Sequence, residues 1–145
     1  MNDKIKPIFI TLYTILLIFA CWLFYENIVH ADGYYDNELI AGHATAYTVS
    51  GKTASGEYTR PGVAAAKRSW IGKTVILYQR LPDDSVGEMI GIYEILDTGG
   101  TQGIKGGKVI DIWEPSGEAA QEFMNRVYED GCQGRIYFQL VDAEG

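Results

Sequence analysis

Between Ala44 and Val141 the apolar residues come in short runs, each closed by turn-forming residues. The runs are Ala44 to Val49, Gly62 to Ala66, Thr74 to Gln79, Met89 to Leu96, Lys108 to Trp113 and Arg135 to Val141. Ser50-Gly51 ends the first, Arg60-Pro61-Gly62 opens the second, and Pro82-Asp83-Asp84 with Gly87 makes a hairpin-like loop after the third. Runs of this length, rich in β-branched and aromatic residues and punctuated by Gly, Pro and Asp, make strands. One stretch differs. Ala119, Ala120, Phe123, Met124 and Val127 form a stripe at helical spacing, which predicts a helix over 116–129. Ser116 is its N-cap candidate, Glu118 sits in the first turn where the dipole favours an acid, and Gly131 supplies a stop. Six short strands and one helix suit a small, mainly β, closed barrel.

Chemistry concentrates in one loop. Asp97-Thr98-Gly99-Gly100 follows the apolar run Ile92–Leu96, and Ile104-Lys105-Gly106-Gly107-Lys108 leads into Val109-Ile110-Asp111-Ile112-Trp113. The order is strand, Gly-rich loop, strand, with an acid at the end of one strand and inside the next. Asp-Thr-Gly-Gly also makes a good turn, because Asp bonds its own backbone and glycine accepts unusual dihedrals. Two acids held close together have their pKa values pushed apart, which is the basis of carboxylate acid/base chemistry. Trp113, two residues past Asp111, shares its strand face and is the best-placed aromatic to stack on a ligand. Other aromatics near the motif, Tyr47 among them, can stack on a ligand or fill the barrel.

These residues resemble the 3D domain, a family named for three aspartates. The resemblance spans most of residues 41–141 and takes in Ala44-Thr45-Ala46-Tyr47, Thr53-Ala54-Ser55-Gly56, Gly62-Val63-Ala64-Ala65 and Gly72-Lys73-Thr74-Val75 ahead of the central loop. It implies a six-stranded double-psi β-barrel similar to the C-terminal part of membrane-bound lytic transglycosylase A and to rare-lipoprotein-A-like barrels. The implied activity is lytic cleavage of the peptidoglycan bond between N-acetylmuramic acid and N-acetylglucosamine, with no cofactor. By the resemblance, Asp111 is the acid/base and Asp97 its electrostatic partner. Tyr47, Thr98, Gly99, Gly100, Lys105 and Trp113 are the expected glycan contacts. Two departures stand out. Ala66 occupies the place of the third aspartate, and Thr101-Gln102-Gly103 lengthens the loop before Ile104. The alternative function is therefore a non-catalytic cell-wall glycan-binding or structural module of an envelope or mobile-element assembly.

The remaining features bear on compartment and partners. Lys4 and Lys6 precede an uncharged apolar run from Ile8 to Tyr25, as in a signal anchor or a signal peptide. Val29-His30-Ala31 offers a cleavage site, which would make Asp32 the new N-terminus. The expected organisation is an N-terminal apolar helix as anchor or signal over 1–31, a tether over 32–40 and a barrel domain over 41–145. The barrel is then expected on the extracytoplasmic face of the cytoplasmic membrane, tethered there or secreted. Before Asp32 the charges cancel, so the net charge of −7 belongs to the remainder. Such an acidic domain argues against nucleic acid, whose phosphates are bound by Lys and Arg. Cys21 and Cys132 lie on opposite sides of the expected boundary and have no zinc-ligand spacing. His43 is an alternative general base, though a histidine at a strand start is ordinarily exposed.

Overall fold

Residues 38–142 are described by a computed structural model. Six strands close into a barrel: β1 (Ile40–Tyr47), β2 (Val63–Ala65), β3 (Lys73–Arg80), β4 (Val86–Asp97), β5 (Val109–Trp113) and β6 (Arg135–Asp142). Around the barrel the order is β1-β5-β2-β4-β3-β6. β1 and β5 run parallel, as do β2 and β4; the other neighbours are antiparallel. Among the described residues two α-helices accompany the strands, α1 (Gln102–Lys105) and α2 (Gly117–Tyr128). The expected anchor or signal segment over 1–31, and residues 32–37 of the tether, lie outside the described residues. Among the described residues no helix is long and apolar enough to cross a membrane.

The core follows from strand alternation. Ala44, Ala64, Val75, Leu77, Ile95, Ile110, Ile112, Ile136 and Phe138 point inward and are buried. α2 adds Phe123 and Val127, which are 2% and 0% exposed. The Phe123 ring meets Tyr93 edge-on at 6.3 Å. As expected, the Ser116 side chain caps this helix, accepting from the Ala119 N–H at 3.2 Å. Cys132 is fully buried.

A smaller cluster lies on the opposite face of β1, β5, β2 and β4. Val63, Leu96 and Trp113 pack there with Tyr47 against them. The β1–β2 connection contributes to this side. Its turn is closed by a bridge between Lys52 and Tyr58 and is pinned to the end of β4 by Ser55 N–H to Leu96 O at 2.9 Å.

Candidate active site

One register row builds the site. Thr45 of β1 is paired with Asp111 of β5, Asp111 with Ala65 of β2, and Ala65 with Asp97 of β4. Neighbouring strands lie about 4.8 Å apart, so β2 separates the two aspartate backbones by about 10 Å. Ala65 contributes only a methyl group between them. The row lies on the face away from the core: Ile110 and Ile112 point inward, and Asp111 between them points out.

Asp97 reaches this face through a β-bulge. The β2–β4 register runs Val63 with Glu94 and Ala64 with Ile95, then skips to Ala65 with Asp97. Leu96 is the extra residue. Strict alternation would send Asp97 to the core side with Tyr93 and Ile95; the bulge turns it outward beside Leu96. Asp97 and Asp111 then line one cleft of about 270 Å³ together with Tyr47, Ala65, Thr98 and Gly99.

The two carboxylates are held differently. Asp97 Oδ1 accepts from the backbone N–H groups of Ala54 at 3.0 Å and Thr98 at 2.9 Å, and Oδ2 accepts from the Tyr47 hydroxyl at 3.3 Å. This explains the Thr53-Ala54-Ser55-Gly56 turn. Thr53 is buried, its N–H and hydroxyl both bond to Glu57 O, and the turn presents the Ala54 amide to Asp97. Asp111 accepts one short bond, from the Thr45 hydroxyl to Oδ1 at 2.6 Å. Burial pushes its pKa above the usual carboxylate value, the Thr45 bond opposes that, and the charge of Asp97 adds to the rise. The Tyr47 hydroxyl is also raised, first by burial and then by Asp97, so it stays a donor at any ordinary pH.

The expected glycan contacts divide. Tyr47, Thr98 and Gly99 line the cleft; Gly100 is exposed and outside its lining. Lys105 faces a neighbouring cleft instead. Trp113 is 7% exposed and packs in the small cluster, its indole N–H donating to Val49 O at 3.2 Å. It shares the face of Asp111, as its spacing predicts, but the β1–β2 connection covers it, so it offers no open ring to a sugar. Gly99 and Gly100 do not take positive φ. At Gly99 a Cβ would instead lie 2.5 Å from Ile104 Cδ1, so close packing is what favours glycine there. Ala66 is fully buried in the main core, where an unpaired carboxylate would be costly. Thr45 and Ala65 gain roles that the sequence reading did not give them. The signal for Thr45 was its two-residue spacing from Tyr47, which puts both polar groups on one strand face. Among the described residues no three His, Cys, Asp or Glu side chains gather into a metal-binding group.

No protein-family model matches the chain, and no curated protein sequence does. Among solved structures it is similar to the Streptomyces papain inhibitor, at 16% identity and a TM-score of 0.47, over 72% of this chain and 94% of that one.

Proposed function

We propose that this barrel is a 3D-type double-psi domain that cleaves peptidoglycan glycan strands as a lytic transglycosylase, with Asp111 as the acid/base. The observation that carries the reading is the unequal pair of acids in one cleft. Asp97 is fixed by three donors, whereas Asp111 has one partner and a raised pKa. A raised pKa keeps Asp111 in its acid form to higher pH, as a proton donor requires. The Thr45 hydroxyl bonds Oδ1, which leaves Oδ2 for the substrate. In the proposed reaction Asp111 protonates the glycosidic oxygen as that bond breaks. The resulting carboxylate takes the proton of the muramic 6-hydroxyl, whose oxygen closes on the anomeric carbon. The product is a 1,6-anhydro ring and no water is consumed.

The bonding of Asp97 favours a second reading. A carboxylate committed to two backbone amides is a common way to brace a loop. On that reading the domain is a glycan-binding module without chemistry. Incubating the protein with purified peptidoglycan and analysing the fragments by mass spectrometry separates the two. Anhydro-muropeptides are expected; sedimentation with the wall and no fragments of that kind would leave only the module. The proposed location is the outer face of the cytoplasmic membrane, which predicts that a reporter fused after Gly145 is accessible from outside the cell.

A further inference from the structure

Beside the Asp97–Asp111 cleft lies a second one with three basic residues in its walls. It measures about 500 Å³ and is lined by Lys67, Arg68, Ser69, Thr98 and Lys105. Thr98 lines both clefts, so they are neighbours with that residue between them. Among the other described cations, Lys52, Lys108 and Arg126 have no ion pair, and four do have counterions. Arg60 pairs with Glu57 and Glu94, Lys73 with Asp142, and Arg80 and Arg135 with Asp84. Lys67, Arg68 and Lys105 form no ion pair among the described residues. All three line this cleft, and an anion entering it would supply the counterion they lack.

The walls of this cleft are built rather than incidental. Lys67 precedes, and Arg68 opens, a 3₁₀ turn over Arg68–Trp70; Lys105 ends α1 in the lengthened loop. The two segments are fastened together at Trp70 and Gly107. Gly107 takes φ +68, and a Cβ there would lie 2.5 Å from the Trp70 ring. Trp70 is held from behind by Phe138, edge-on at 5.8 Å, and Lys67 Nζ stands 5.7 Å from its ring centroid. The Thr101-Gln102-Gly103 residues, which lengthen the loop, cap and begin the helix that carries Lys105.

We propose that the cleft walled by Lys67, Arg68 and Lys105 binds an anionic substituent of the ligand whose uncharged part enters the Asp97–Asp111 cleft across Thr98. The group is a carboxylate or a phosphate. The glycan arm of this assignment rests on the function proposed above; the anion arm does not.

The test is calorimetric titration of the full chain, in neutral detergent at low salt, with three probes. These are a muramic-acid tetrasaccharide bearing lactyl carboxylates, uncharged chitotetraose, and inorganic phosphate. The carboxylated glycan is expected to bind about 3- to 10-fold more tightly than chitotetraose, the scale of a few exposed charge contacts at low salt. That advantage should shrink in Arg68→Gln and in Lys105→Gln, return in Arg68→Lys, and persist in Lys108→Gln, a control lysine outside the lining of either cleft. Phosphate binding that depends on Arg68 and Lys105, with no glycan binding, would keep the anion site and remove the glycan reading. Equal binding of both glycans, unmoved by either substitution, would overturn the anion site and leave the glycan reading standing.

Discussion

Asp111 and Asp97 are the same residue type in one cleft, and their surroundings give them different duties. Asp97 spends its oxygens on Ala54, Thr98 and Tyr47. Asp111 bonds only Thr45 and is partly withdrawn from water. For the proposed reaction, Asp111→Asn should lower anhydro-product formation by at least about 100-fold, the lower bound for losing a general acid/base. Its effect on stability has the opposite sign. Burial raises the Asp111 pKa, so the native state keeps this proton at pH values where the unfolded chain has released it. Stability from this group therefore falls as pH rises from the ordinary carboxylate range through the raised native value. At neutral pH the asparagine variant should melt at or slightly above the parent temperature, and below the ordinary carboxylate range the two should converge. Thr45→Val removes the bond that favours the charged form, so the pH at which activity is lost should move upward. Asp97→Asn should move it downward, because a neighbouring negative charge is gone; a pH–rate profile of each variant checks both signs.

At the scale of elements, the β4 bulge sets the site and the barrel supplies the rest. Short apolar runs and one amphipathic stripe made the six strands and α2 legible in the sequence. The bulge was not legible. Alternation counted along Tyr93, Ile95 and Asp97 points the acid inward, and only pairing with the three-residue strand β2 reveals the skipped register. Burial of Trp113 was hidden for a similar reason, since its cover comes from a connection distant in sequence. α1 was missed because four residues are too few to show a period. Two substitutions test these roles separately. Phe123→Ala should destabilise the fold by about 3–5 kcal/mol, the usual cost of emptying an aromatic site in a core, measured by denaturant unfolding. Ala65→Leu puts bulk between the carboxylates on the face away from the main core. It should abolish glycan binding in the titration while lowering the melting temperature much less than Phe123→Ala does.

For the whole domain, the decisive property is that the site belongs to no single segment. Thr45, Asp111, Ala65 and Asp97 come from four strands, and two of the pairings that align them are parallel, between strands far apart in the chain. Parallel partners cannot be joined by a tight hairpin, so much of the chain must be ordered before the row exists. Contacts of such long sequence separation form late and slowly in folding. No fragment that stops before β5 contains the row. In a denaturant series, the midpoint for loss of ligand binding should therefore coincide with that for loss of tryptophan fluorescence, without an earlier functional transition. During refolding, binding should return only in the slowest phase. The protein would then have no half-competent intermediate: a molecule either has its cleft and its fold together or has neither.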